Sequence, residues 1–343
     1  MILALANEIQ MRKNELQGEI IETIYFGGGT PSVLESEEIE YLIQEIYNHF
    51  QVGSNSEITL EANPDDLTTE KIGQLAQSKI NRLSIGIQSF FDDDLQMMNR
   101  AHNASESRNA LEEVIKHFDN ISIDLIYGIP GMTDEKWIQN LQIALSYNVP
   151  HVSSYALTVE PRTALYKFIQ AGKINSLNEE VAESHFVIMS EMLTKKGFIH
   201  YELSNFGKQG YFSKNNSAYW LGKKYIGIGP SAHSFDGKTR SWNVANNTLY
   251  IKSIQEKQLP SESEKLSVAN QYNEYVMTGL RTIWGVSLEK IAQDFGADYK
   301  MYLLQNADRF LQNGLLIIEN DIIKTTAKGK FLTDGIASDL FYI

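Results

Sequence analysis

Short apolar runs alternate along most of the chain with longer segments in which apolar residues recur at every third or fourth position. The opening segment, "MILALANEIQMRKNEL", reads as an amphipathic helix. "IIETIYF", Ile20 to Phe26, reads as a strand covered on both faces. Ile39, Leu42, Ile43, Ile46, Tyr47 and Phe50 form one helical stripe. Ser36 is placed to cap that helix, with Glu37 and Glu38 in its first turn. The beat continues with strand "SEITLEANP", helix "TTEKIGQLAQSKI" and strand "NRLSIGIQSF". A long helical stretch follows, "DDDLQMMNRAHNASESRNALEEVIKHF". Next come strand "NISIDLIYGIPG", helix "TDEKWIQNLQIALSY" and strand "HVSSYALTVEP". A helix over 178–196 then leads to "GFIHYELSNF". Such an order predicts a parallel sheet flanked by helices.

The pattern changes over 261–343. "QYNEYVMTGLRTIWG", "SLEKIAQDFG" and "YKMYLLQNADRFLQNG" read as helices. "LLIIENDIIKTTAKGKFLTDGIASDLF" reads as a hairpin around Glu319, Asn320 and Asp321, then a helix. Helices followed by a β-wing suggest a winged-helix-like module, a shape that often reads DNA. Here 8 basic residues face 11 acidic ones, so a packing or lid domain is the better reading.

Charge extends that exclusion to the whole chain. Its 343 residues carry a net charge of −13, and a sequence-independent grip on nucleic acid needs a basic face. Apolar residues at 43% and charged residues at 21% suit a globular protein. No apolar run is long enough to span a bilayer, while peripheral membrane contact stays open. The first apolar stretch is too short for a signal peptide and lacks a cleavage site, so a cytoplasmic location is expected. There is no cysteine, which removes disulfides, thiolate metal sites and a cysteine nucleophile from this chain.

The candidate chemistry lies at strand ends. The strand ending at Phe26 runs into Gly27, Gly28 and Gly29, then Thr30 and Pro31. Three glycines are costly to order. A ligand against the bare backbone and a tight turn without one are equally good explanations. The spacing is neither G-x-G-x-x-G nor a Walker loop. Glu61 closes the next strand, Gln88 the one after, and Asp124 falls late in another. Each alone reads as well as a loop-facing cap. Together with the glycines they suggest the C-terminal rim of a βα barrel, where such folds carry their sites.

In this order, "IYFGGGTPSVL", "ITLEANPDD", "NRLSIGIQSF", "MMNRAH", "IDLIYGIPG" and "YALTVEP" resemble the radical S-adenosylmethionine (SAM) enzymes related to oxygen-independent coproporphyrinogen oxidase. "HYELSNF" and "NNSAYWLGKKYIGIGPSAHSFDG" resemble the haem chaperone branch more than the oxidase branch. The resemblance implies a partial (β/α)6 barrel that binds SAM, over 1–260, and a C-terminal domain over 261–343. By motif, the backbone of Gly28 and Gly29, with Thr30, would meet the methionine end of SAM. Glu61 would accept from its amino group and Arg100 would pair with its carboxylate. Gln88 and Asp124 would take the ribose hydroxyls. Ala156 and His233 would lie near the adenine. His233 also reads as an ordinary satisfied histidine, although its place beside a Gly-x-Gly-Pro turn favours the site.

Two departures from the family qualify this. The family opens with a strand and a C-x-x-x-C-x-x-C loop that holds a [4Fe–4S] cluster, and SAM binds its free iron. This chain starts inside what would be the first barrel helix, with no such loop. The first strand is therefore expected to be missing, the edge at Ile20–Phe26 to be bared, and radical chemistry to be absent from the chain as given. The second departure is in "KNNSAYW", where Asn215 stands in the place of a histidine linked to haem in that branch. Tyr219 remains as a candidate iron ligand. Lys214, Lys223 and Lys224 are candidates for the haem propionates. A plain surface loop around a buried Trp220 explains the stretch equally well, and His200 is a weaker candidate ligand. The expected function is haem binding and transfer to haem-receiving proteins. The alternative is a coproporphyrinogen III oxidase of porphyrin biosynthesis.

Overall fold

The computed structural model describes residues 1–161 and 163–343. In chain order, α1 (Ile2–Met11), β1 (Ile21–Phe26), α2 (Ser36–His49), β2 (Val52–Ala62), α3 (Thr69–Gln77) and β3 (Arg82–Gln88) come first. Then follow α4 (Asp92–Met97), α5 (Ala104–Val114), β4 (Ile121–Tyr127), α6 (Asp134–Ser146), β5 (His151–Ala156), α7 (Ala164–Gln170) and α8 (Glu179–Lys195). β6 (Ile199–Glu202), β7 (Asn205–Gly207), α9 (Lys214–Trp220), β8 (His233–Phe235), β9 (Thr239–Asn243), α10 (Asn247–Gln255) and β10 (Ser261–Lys265) lead to the last segment. It contains α11 (Val268–Leu280), β11 (Val286–Ser287), α12 (Leu288–Asp294), α13 (Ala297–Gln312), β12 (Leu316–Glu319), β13 (Ile322–Thr325) and α14 (Thr333–Asp339). The chain divides into two compact units.

One unit comprises Thr23–Glu37 and Glu57–Ser213. Its sheet has the strand order β1-β2-β3-β4-β5-β7-β6. β2 to β5 pair in parallel, and an antiparallel hairpin, β6–β7, completes the row. The strands alternate strictly. Ile58, Leu60, Ala62, Leu83, Ile85, Ile87, Ile121, Ile123 and Leu125 are buried apolar residues. With them are buried Ile72 and Leu75 of α3, Leu111 of α5, Leu141 of α6 and Met189 of α8. Between the apolar positions lie Glu57, Thr59, Arg82, Ser122, His151 and Ser153, which are buried and polar. Period-two alternation puts the two sets on opposite faces. The apolar face lies under the helices, and the polar face lines the inside of a curled half-barrel. The curl also shows in the electrostatics, because the Asp124 carboxylate on β4 is felt by Tyr25 on β1. A flat sheet would hold those strands roughly 14 Å apart.

Three expectations change here. β1 is not covered on both faces: Ile24 is buried, but Ile20 is 62% exposed and Tyr25 39%. The reason is its place at the end of the strand order. The helical stretch 92–118 is two helices. Asn99 takes a left-handed φ of 54°, which asparagine tolerates better than most residues. Asn103 then opens α5 with a capping box, accepting from Ser105 and Glu106 while Glu106 accepts from the Asn103 N–H. Ser36 begins α2, and its hydroxyl donates to Gln74 Oε1 at 2.8 Å.

The other unit comprises Met1–Glu22, Glu38–Ser56 and Lys214–Ile343. It holds the three-stranded sheet β10-β9-β8 and the wing sheet β11-β13-β12. The wing packs with α11 to α14 around a core that includes Tyr272, Val276, Leu280, Ile291, Leu303, Ile323 and Ile336. Its hairpin turns at Asn320 and Asp321, with φ of 51° and 63°. Two successive left-handed residues give the type I′ twist that short hairpins need.

Candidate functional site

The glycine loop leaves β1 with Gly28 and Gly29 at φ of 78° and 71°, a region that side chains strain to enter. A Cβ at either position would meet nothing within 4 Å, so the backbone there faces open space. Gly27 is different, since a Cβ would fall 2.4 Å from the Tyr25 ring. Thr30 is half-buried and precedes a short 3₁₀ turn that opens with Pro31. Ser32 anchors the loop to the turn after β2: its hydroxyl donates to Asp66 at 2.6 Å and accepts from the Asn63 N–H at 3.2 Å.

Glu61 stands beside this loop. Its carboxylate accepts from the Tyr25 hydroxyl at 2.5 Å and from the Gly28 N–H at 3.3 Å. Burial, and then the Glu61 charge, push the Tyr25 phenol up, so it stays a donor. Gln88 ends β3 at a register shift with a φ of 65°, a strained conformation for a side chain of this size. Its amide lies over Gly86, where a Cβ would come within 2.8 Å of Nε2. A side chain at Gly86 would displace the Gln88 amide from this position.

Asp124 sits midway along β4, beside Ser153 of β5. Withdrawal from water pushes its carboxyl up to about 7; the Glu61 charge adds to this, while Arg82 and hydrogen bonds to Ser153 and Ser84 oppose it. Arg100 follows α4. Burial draws its guanidinium below the ordinary arginine value, and the Asp124 charge opposes that shift. Ala156 ends β5, half-buried, opposite Tyr127. Tyr155 before it feels the charge of Asp124 and lies within hydrogen-bond reach of Ser153 and Asn205. Tyr25, Glu61, Arg100, Asp124 and Tyr155 are therefore coupled on the inner face of the half-barrel. Sequence reading missed Tyr25, Tyr155, Ser153, Ser32 and Asn63. For Ser153 and Tyr155 the signal was the alternation His151, Ser153, Tyr155 along one face of the strand.

His233 belongs to the other unit. It is exposed on β8, with its ring 6.2 Å from that of Trp242. Gly227 passes so near this strand that a Cβ would fall 2.1 Å from the His233 carbonyl oxygen, which explains one glycine of the Gly-x-Gly-Pro turn. The "KNNSAYW" stretch is α9. Tyr219 is 45% exposed, and its ring meets Tyr225 edge-on at 4.6 Å. Burial of its hydroxyl raises its pKa, while a hydrogen bond from Asn215 opposes that. Lys214 donates to the Asn55 carbonyl at 2.7 Å, Lys223 pairs with Glu22, and Lys224 pairs with Glu19 at 2.5 Å. Trp220 is half-buried under the guanidinium of Arg281, 5.0 Å from its ring centre. In the barrel unit, His200 is buried, stacked on Phe206 at 3.9 Å and bonded to the Leu203 carbonyl.

Comparison with known proteins identifies the arrangement. Residues 5–144 match the Radical SAM superfamily and residues 266–332 the HemN C-terminal domain. Over 320 residues the chain is 35% identical to a protein named "Heme chaperone HemW" from Bacillus subtilis, covering 92% of this chain and 84% of that one. The chain belongs to the HemW family. A HemW of Mycobacterium tuberculosis is 31% identical over 341 residues, covering 99% of this chain and 85% of that one. The structure entitled "Coproporphyrinogen III oxidase (HemN) from Escherichia coli is a Radical SAM enzyme" superimposes with a TM-score of 0.84 over 98% of this chain and 82% of that one, at 23% identity. That likeness confirms the partial barrel with its small C-terminal domain.

The superfamily implies SAM and a [4Fe–4S] cluster. The residues of this HemW-family chain do not fit the cluster. None of its 343 residues is a cysteine, and among the described residues no group of three histidine, aspartate or glutamate side chains converges as a metal site. No helix among the described residues is long and apolar enough to cross a membrane.

Proposed function

We propose that this chain is a haem chaperone, which takes up haem as cargo and passes it to haem-receiving proteins. The observation that carries this reading is the 31–35% identity to HemW proteins over more than nine-tenths of the chain. Haem is held at the 211–235 stretch, with Tyr219 as the candidate iron ligand and Lys214, Lys223 and Lys224 as partners of the propionates. All three lysines already hold acceptors, and two of them form exposed ion pairs. Exposed pairs are worth about 0–1 kcal/mol, so exchange for a propionate is cheap. The chain is organised as a barrel region over 1–260 and a C-terminal domain over 261–343. A net charge of −13 argues against a sequence-independent grip on nucleic acid.

The barrel mouth suits the polar ends of SAM. An open glycine backbone, the Glu61 carboxylate and the Arg100 guanidinium match an amino-acid end. Gln88 and Asp124 match a ribose diol, and Ala156 marks the adenine side. SAM bound with a reduced cluster supplies radical chemistry in the superfamily. Lacking the cluster ligands, this chain's own residues bind and orient the nucleoside and go no further.

The test is to titrate the protein with haem and, separately, with coproporphyrinogen III. A shifted Soret band with no turnover of the porphyrinogen is expected. Turnover, or no spectral change with haem, would replace this reading with the oxidase one or remove it. Tyr219→Phe should weaken ferric haem binding about tenfold, equivalent to about 1.4 kcal/mol, and change the charge-transfer bands. An unchanged spectrum would show that another group holds the iron.

A further inference from the structure

Gly27 is a glycine for a reason that its two neighbours do not share. Gly28 and Gly29 take left-handed backbone angles, whereas Gly27 does not. What excludes a side chain at Gly27 is room. A Cβ there would fall 2.4 Å from the Tyr25 ring and 3.0 Å from Glu61 Oε1. The tyrosine ring lies back along the first glycine of the loop, and the Glu61 carboxylate meets it there.

The hydrogens on that carboxylate can be counted. Oε1 accepts from the Tyr25 hydroxyl at 2.5 Å, the length of a bond from a hydroxyl to a carboxylate. Oε2 accepts from the Gly28 N–H at 3.3 Å. Each oxygen of a carboxylate offers two lone pairs, so one position on each is taken and one on each is left. The Gly28 N–H has a single hydrogen, and it is spent on Glu61. Both donors of this corner thus point at the carboxylate, and what they leave for a ligand is acceptor capacity. A protonated amine, which carries only donors, is the group that matches it.

Tyr25 gives the carboxylate one orientation. Glutamate has three rotatable side-chain bonds and Glu61 is only half-buried, so by itself it would sample several positions. Tyrosine has two such bonds, and the Tyr25 ring is seated against Gly27. Tyr25 is 39% exposed on the edge strand β1, so core packing does not account for a hydroxyl aimed at a carboxylate.

We infer that Tyr25 is a positioning residue: it holds the Glu61 carboxylate ready for a protonated amine and so makes the barrel mouth selective for nucleosides that carry an α-amino group. This rests on the reading of the mouth as a nucleoside site. Gly27 serves the same end by leaving room for the ring. A ligand amine then meets an acceptor that is already ordered, and binding does not have to order it.

Calorimetric titration of the whole chain with S-adenosylhomocysteine, and with its deamino analogue that keeps the nucleoside and the carboxylate, tests this. Tyr25→Phe keeps the ring and removes the hydroxyl. It should weaken S-adenosylhomocysteine about tenfold, the scale of a hydrogen bond to a charged group, and the deamino analogue less than about twofold. Equal weakening of both ligands would mean that the hydroxyl only steadies the strand edge. Weakening of neither would mean that it plays no part in binding. Either result overturns the inference while the nucleoside reading stands. A second arm asks whether Tyr25 acts through Glu61. In a Glu61→Gln background the penalty of Tyr25→Phe should shrink to less than about twofold. A penalty still near tenfold would show that the hydroxyl meets the ligand itself, and would overturn the positioning role. If the parent chain binds no S-adenosylhomocysteine, the reading of the mouth fails and the role of Tyr25 fails with it.

Discussion

Replacing Glu8 by alanine is expected to destabilise the protein by about 3–5 kcal/mol, the range for removing one partner of a buried ion pair. Glu8 is fully buried on α1. One carboxylate oxygen accepts from Arg12 Nε and Asn243 Nδ2, each at 2.7 Å. The other accepts from the Gly229 N–H at 2.8 Å and the Tyr250 hydroxyl at 2.6 Å. Four donors thus converge on one side chain, from α1, the 227–233 loop, β9 and α10. Alanine would leave a buried guanidinium with Glu15 and the Asn243 oxygen as its remaining partners. It would also strand a backbone N–H. Glutamine should do little better, because its amide hydrogens would face donors. Chemical denaturation of the two variants checks this. A loss below about 1 kcal/mol in Glu8→Ala would mean that water or a neighbour replaces the carboxylate.

The second large effect has the opposite sign. Asp124→Asn should stabilise the protein at alkaline pH and leave it nearly unchanged in acid. The carboxyl's ordinary value of 3.8 rises to about 7 on folding. The folded state thus holds this proton more tightly than the unfolded chain. The group's contribution is most favourable below the unfolded pKa, is lost as pH rises toward the folded one, and is flat above it. Asparagine does not titrate, so the variant escapes that loss. Three units would correspond to about 4 kcal/mol, and partial exposure of the residue reduces this to about 2 kcal/mol. Thermal melts should show a gain of a few degrees at about pH 8 and almost none at about pH 4. A variant less stable than the parent at pH 8 would show that the ionised carboxylate is held by the fold. The gain should come with weaker nucleoside binding, the usual trade of stability against a charged site.

Much of this architecture is legible in the linear chain because it rests on local physics. The order of helices and strands from α1 to β5, and of the helices and hairpin after Val268, follows from periodicity, whereas α7, α9, α10 and the sheet β10-β9-β8 are not read from it. The hairpin at Asn320 and Asp321 follows from two residues that tolerate left-handed φ, and the glycines at 28 and 29 mark a loop whose backbone has to stay bare. The motifs at successive strand ends are enough to place the family, and the lack of cysteine bears directly on its cluster. What remained illegible depends on partners far apart in sequence. The run 92–118 looks continuous because its periodicity is continuous, yet Asn103 prefers to cap. β1 looks buried because it is apolar, yet its place in the strand order leaves it at an edge. Nothing near Asp124 in the chain announces Ser153, Asn205 or Tyr25. Whether a carboxylate keeps its proton depends on which hydroxyls and charges surround it and how far it lies from water. Those surroundings exist only once the sheet has curled and brought the inner faces of its strands together.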